Sequence, residues 1–197
     1  MEKATKNTHL NHLEDMVFLG HIDGTRDAVH FIQKLRDLLL GNNNRDLMTS
    51  VKWDGAPAIW MGPHPETKRF FIAKKSLFNK QPLYYISEGQ IKNAKELSDE
   101  LKSKFLQAFK LFKDVKFENI LQGDFLFDER DLKRQTIDGE KFIVFHPNTI
   151  AYTIPEDSDL GKTIAKKKLG IVFNTTYSGK TIESLTAKAG AKIPRVP

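Results

Sequence analysis

The sequence contains no cysteine, which excludes disulfides, thiolate metal sites and cysteine nucleophiles together. No apolar run approaches the roughly 18–20 residues that a membrane-spanning helix needs. The first residues, Met1-Glu2-Lys3-Ala4-Thr5-Lys6-Asn7, lack the apolar stretch of a signal peptide. The expected setting is therefore cytoplasmic, with no membrane partner. No internal repeat, low-complexity tract or glycine-rich strand-to-helix turn of the P-loop or Rossmann kind is found. Tryptophan and tyrosine are scarce, two and four residues, whereas phenylalanine is abundant at 14. Most aromatic side chains can thus only pack or stack, which supplies a substantial core.

What is present places the chain among globular proteins. Its 197 residues are 40% hydrophobic and 28% charged, enough for one domain or one domain with an appendage. Thirty-one Lys and Arg against 25 Asp and Glu leave a net charge of +6. That excess favours polyanionic partners such as nucleic acid, and it also occurs in proteins that bind neither nucleic acid nor nucleotides.

The first forty residues read as two helices. Thr8 can cap one that runs through Leu10, Leu13, Met16 and Val17, with a break at Gly20 and Asp23-Gly24. A second, from about Thr25 to Leu40, ends in Gly41-Asn42-Asn43-Asn44. Residues 1–46 are read as a helical N-terminal unit. From Leu47 the period changes. Met48–Trp53, Ala58–Met61 and Arg69–Ala73 are short strand candidates, and a long helix is expected from Ser87 to Phe112. Strands resume at Ile120–Phe127, Phe142–Phe145 and Thr149–Ile154. A basic helical stretch, Leu160–Lys168, precedes a strand at Gly170–Thr176, and Ser178 would cap a last helix through Ala189. Closely spaced strand runs of this kind argue for an α+β fold around a mostly antiparallel sheet.

The sharpest string is Val51-Lys52-Trp53-Asp54-Gly55-Ala56-Pro57-Ala58-Ile59. It puts a lysine and a carboxylate two residues apart on a tight turn, a pattern expected by chance about 0.1 times at this composition. A hairpin turn with a surface lysine and a turn-fixing Asp explains it equally well. A lysine nucleophile needs the neutral amine, so burial or nearby cations would have to outweigh the adjacent carboxylate.

This region resembles the covalent nucleotidyltransferase superfamily, the adenylation domains of ATP-dependent DNA and RNA ligases and their capping relatives. Phe70-Phe71-Ile72-Ala73-Lys74-Lys75-Ser76 is similar to the family's next strand. Leu121-Gln122-Gly123-Asp124-Phe125-Leu126 looks like its apolar-x-Gly-acid-apolar strand, with Asp in place of the usual Glu, and Ile143-Val144-Phe145 looks like its base-stacking strand. The wording around Thr8–Asp15 and Lys52–Ile59 also resembles bacteriophage proteins of ligase type.

The resemblance implies an antiparallel-rich, ATP-grasp-like ligase adenylation domain over residues 47–197. Lys52 would be the nucleophile toward ATP. Asp54 and Gly55 would shape the turn, one of Lys74 and Lys75 would meet phosphate, and Asp124 would hold ribose or Mg²⁺. Phe145 would stack on adenine. The family's Arg after the turn is replaced by Ala56-Pro57, and neither its late Glu-Gly strand nor its final Lys-x-Lys is evident. Leu169-Gly170-Ile171-Val172 has the shape of the former without the acid. The domain would then be incomplete at its C-terminus or its site degenerate, and the alternative function is a non-catalytic nucleic-acid or protein-binding module.

The remaining candidates are simpler. His9 and His12 near Glu14 have metal-ligand spacing, but a solvated helix face accounts for them. The turn His146-Pro147-Asn148 needs no further role. Lys102, Lys104, Lys110, Lys113 and Lys116 could form a nucleic-acid stripe, but with Glu96, Asp99 and Glu100 among them they read more simply as a solvated helix surface. Lys162, Lys166, Lys167 and Lys168 are the densest basic cluster, open to nucleic-acid contact or to solvation alone, with Lys74, Lys75 and Lys80 next. Trp53 and Trp60 are expected in the core.

Overall fold

A computed structural model describes residues 12–42 and 53–194. The chain divides into two compact units, whose described parts are those two stretches. In the first, α1 (Leu13–Leu39) starts after His12, whose backbone N–H donates to the Asp15 carboxylate at 2.9 Å. The expected break is a kink rather than a gap. His21 has left-handed φ (51°), and helical geometry resumes beyond it. Gly24 is where that kink needs the space, since a Cβ there would lie 1.9 Å from the Met16 carbonyl oxygen. Thr8, His9 and the Met48–Lys52 part of the first strand candidate lie outside the described residues; Trp53 is not in a strand.

The second unit is built on two antiparallel sheets, so the expected α+β, antiparallel class holds. The larger has the order β2-β1-β3-β7-β8, made of β1 (Ala58–Pro63), β2 (Phe70–Ala73), β3 (Ile120–Asp128), β7 (Leu169–Ser178) and β8 (Thr186–Ala189). The smaller, β4-β5-β6, comprises Lys133–Ile137, Glu140–Phe145 and Tyr152–Pro155.

Side-chain alternation gives the larger sheet two buried faces. Ile59, Met61, Ile72, Leu121 and Phe125 pack against α2 (Glu88–Asn93) and α3 (Asp99–Phe112) through Ile91, Phe105, Phe109 and Phe112. Burying each of those phenylalanines is worth about 1.5–3 kcal/mol. The opposite face carries Trp60, Phe71, Ala73, Ile120 and Tyr177, capped by Leu77, Ile182 and Leu185 from two 3₁₀ turns. A third cluster joins Leu126 and Phe127 at the end of β3 to Ile143, Phe145 and Ile154 of the smaller sheet, with α4 (Asp159–Ile164) adding Ile164.

Three expectations are corrected. The long helix from Ser87 to Phe112 is two helices, because Ala94 turns extended and Ser98 caps a new start by accepting from the Leu101 N–H at 3.3 Å. The helix expected after Ser178 is a 3₁₀ turn followed by β8, whose residues pair with β7 from Thr186↔Ser178 to Ala189↔Thr175. The strand read from Thr149 starts only at Tyr152.

Candidate functional site

The turn that follows Lys52 is fastened at both ends. Tyr152 clamps Asp54 through one hydroxyl, which accepts from the Asp54 N–H at 2.7 Å and donates to its carbonyl at 3.0 Å. Its ring lies 5.0 Å from half-buried Trp53. Two residues on, Ala56 N–H donates to the Phe125 carbonyl at 3.0 Å, and Phe125 N–H donates to the Pro57 carbonyl at 3.1 Å. The turn therefore lies flat on β3, and Gly55 is the residue that permits it. A Cβ at that position would fall 2.4 Å from the Phe125 oxygen and 2.9 Å from the Asp124 Cβ.

Asp124 is the buried charge at this contact, only 7% exposed. It pairs with Ala58 across the sheet and so shares the face that turns away from α2 and α3. Its Oδ2 accepts from Asn174 Nδ2 at 3.0 Å, and Thr175 Oγ1 donates to Asn174 Oδ1 at 2.8 Å. The hydroxyl thus fixes which end of the amide meets the carboxylate. Asn174 is free for this work because of a register shift. Gln122 pairs with Thr175 and Gly123 with Phe173, which leaves Asn174 as the extra residue of a bulge. Farther along the same face, Tyr177 donates to Gln122 Oε1 at 2.8 Å, and burial pushes that phenol above its ordinary pKa.

Beside the turn an open groove of about 350 Å³ is lined by Ala56, Pro57, Leu101, Lys104, His146 and Pro147, among others. Lys104 is 8% exposed. Its ammonium lies 3.2 Å from both Glu100 and Asp131. Burial alone would lower the Lys104 pKa, but the two carboxylates outweigh it and hold the pKa above the usual lysine value.

The candidate residues divide. The structure brings Asp54, Gly55 and Asp124 together, and Lys52 lies outside the described residues. Lys74 is directed elsewhere, its ammonium donating to the Glu96 carbonyl at 3.2 Å on the helical side of the sheet, opposite Asp124. Lys75 is exposed at the start of a 3₁₀ turn. Phe145 is fully buried, with its ring stacked on Tyr152 at 5.3 Å and 5.0 Å from Phe127. A protein ring already covers the face expected to meet a base, so the structure gives Phe145 a packing role in place of the expected adenine contact. Lys102, Lys110 and Lys113 have carboxylate partners within 4.0 Å, as a solvated helix face requires. Among the described residues no group of three His, Asp or Glu is placed to hold a metal, His12 included. Sequence reasoning missed Tyr152, Asn174 and Thr175. Only Asn174 carried a signal, as the polar residue that ends the apolar run Ile171-Val172-Phe173 within a strand candidate.

Among the described residues the site is a buried, oriented carboxylate against the Asp54–Gly55 turn. It can accept hydrogen bonds from sugar hydroxyls and share a cation with phosphates. Among the described residues no helix is long and apolar enough to cross a membrane. No curated protein and no solved structure matches the chain. A family model does, described as a family of unknown function, DUF6267, over residues 7–196, and the chain belongs to that family.

Proposed function

We propose that this protein is an ATP-dependent, ligase-like nucleotidyltransferase acting on nucleic acid. The observation that supports it best is the docking of the Asp54–Gly55 turn directly onto Asp124, two motifs about seventy residues apart that the resemblance pairs in one site. Lys52 Nζ attacks the α-phosphorus of ATP, the bond to the β-phosphate bridging oxygen breaks, and pyrophosphate leaves. The lysyl-AMP phosphoramidate divides one hard displacement into two. The adenylyl group then passes to a 5′-phosphate, and a 3′-hydroxyl displaces AMP. Mg²⁺ fits the residues present, because it is commonly held by one or two carboxylates plus substrate phosphates rather than by an all-protein cage. Asp124, with Asp54 nearby, would hold it, and it would offset phosphate charge. Asn174 and Thr175 keep the Asp124 carboxylate in a single orientation.

The test is incubation of the full chain with α-labelled ATP and Mg²⁺. An acid-labile label that disappears in Lys52→Ala is expected. A well-folded protein that takes up no such label is a non-catalytic binding module instead.

A further inference from the structure

Beyond the end of β3, strands β4 and β5 and the segments that follow β3 and α4 line a cleft of about 220 Å³. Its charged lining is Lys133, Arg134, Lys166, Lys167 and Lys168, opposed by the single carboxylate Glu129. Arg134 is already engaged, with its Nε 2.7 Å from Glu156. The other four lysines have no ion pair among the described residues. Lys162 sits on α4 away from this lining.

Two features separate the cleft from an ordinary solvated lysine run. The first is that the backbone bearing the lysines is held in place. Lys166 and Lys167 N–H groups donate back to Thr163 and Ile164 carbonyls, and the Lys168 carbonyl accepts from Glu129 N–H at 3.1 Å and Gln107 Nε2 at 2.9 Å. The second is that Lys133 arrives from a different element, the exposed strand β4, which crosses to the same opening. The floor is apolar, from Leu132, Ile143 and Ala165. Four lysines around one opening, without an ion pair among the described residues, make a positive potential that favours an anion there.

We propose that this cleft binds the phosphate backbone of a single nucleic-acid strand. Glu129 follows Asp124 by five residues, so the cleft begins at most about 18 Å from the proposed adenylation site along an extended chain. At roughly 3.4 Å of rise per phosphate, the value for a stacked strand, that is at most about five nucleotides from the reacting end. The proposal rests on the nucleic-acid substrate named above but not on the adenylation step.

The experiment measures binding of a fluorescent single-stranded oligonucleotide across a KCl series. The native protein is compared with the quadruple variant Lys133→Gln, Lys166→Gln, Lys167→Gln, Lys168→Gln. Each lost phosphate contact lowers the log–log salt slope by about 0.7, so a fall of up to about 2.8 is expected. A quadruple Lys→Arg variant at the same positions keeps the slope. A control changing Lys92, Lys95, Lys116 and Lys180 to Gln removes equal charge elsewhere and leaves the slope near native. No binding by the native chain, a cleft variant with an unaltered slope, or an equal fall in the control overturns the proposal. Labelling with α-labelled ATP is run on the same proteins. A chain that never labels but shows the cleft-specific fall loses the enzymatic reading and keeps this one.

Discussion

Replacing Gly55 by alanine tests how the turn is seated on β3. The added methyl would lie 2.4 Å from the Phe125 carbonyl oxygen, about 1 Å inside ordinary contact, and both neighbours in the clash are on a central strand that cannot yield. The turn must lift, and the lift strains the bonds from Ala56 N–H to Phe125 O and from Phe125 N–H to Pro57 O. Each such bond contributes about 0.5–1.5 kcal/mol net. Overpacking adds about 1–3 kcal/mol. Against that, alanine restricts the unfolded chain and returns about 0.4–1 kcal/mol. The expected net loss is about 3 kcal/mol, or roughly 6–12 °C in melting temperature for a unit of this size. Thermal melts by circular dichroism read it directly. Gly89→Ala serves as the control, because its nearest contact would be the Ser87 hydroxyl at an ordinary 3.9 Å. It should melt at or slightly above native. A Gly55→Ala protein melting within about 1 °C of native would refute the close seating, and with it the juxtaposition that supports the proposed chemistry.

Phe145→Ala should cost about 3–5 kcal/mol, the range for emptying a buried aromatic site, since Phe127 and Tyr152 lose their shared neighbour. Unchanged melting with an ATP affinity lowered 5- to 150-fold would instead return the ring to base stacking. Asp128 is fully buried, which would raise its pKa, but hydrogen bonds from Arg130 and that guanidinium's charge outweigh burial and hold it below the ordinary carboxylate range. A depressed folded pKa stabilises above the unfolded value near 3.9 and loses that contribution as pH falls through the folded one. Arg130→Gln should therefore melt below native at pH 7, with the gap closing under pH 4; a gap independent of pH would refute the pairing.

Much of the fold was legible because burial left a record in the sequence. Strands β1, β2, β3, β5 and β7 appear as short apolar runs, and the kink in α1 was announced by Gly20 and Asp23-Gly24. Other elements had no such record. All five residues of β4, Lys133–Ile137, are exposed, so no alternation marks them. The residues Thr186-Ala187-Lys188-Ala189 favour a helix by intrinsic propensity, and pairing with β7 overrides it. Between Asn93 and Ser98 the apolar spacing Ala94–Leu97–Leu101 continues through the break, so periodicity alone joined two helices. Ser98 was the readable stop signal, because a cap residue competes with the helix it would interrupt.

The site was legible only where its parts are local. Lys52-x-Asp54-Gly55 and Gly123-Asp124 are strings, and a string survives without a structure. The Asn174 contact depends on one extra residue in β7, which shifts the pairing from Gln122↔Thr175 to Gly123↔Phe173. No spacing rule counts that residue in advance. Tyr152 grips Asp54 from 98 residues away, and its hydroxyl serves both backbone groups of a single peptide residue. The choice between Lys74 and Lys75 has the same origin in reverse. Alternation shows that one of two adjacent lysines faces each way, but which way depends on the register of Ala73 against Trp60. Once that pairing puts Ala73 on the Asp124 face, Lys74 must leave on the helical side, where Glu96 receives it. That leaves Lys75, at the start of the following 3₁₀ turn, as the member of the pair not directed to the helical side. The lysines beyond the end of β3 are a described set whose backbone is held in place, and it is this placement rather than a motif that recommends the proposed cleft.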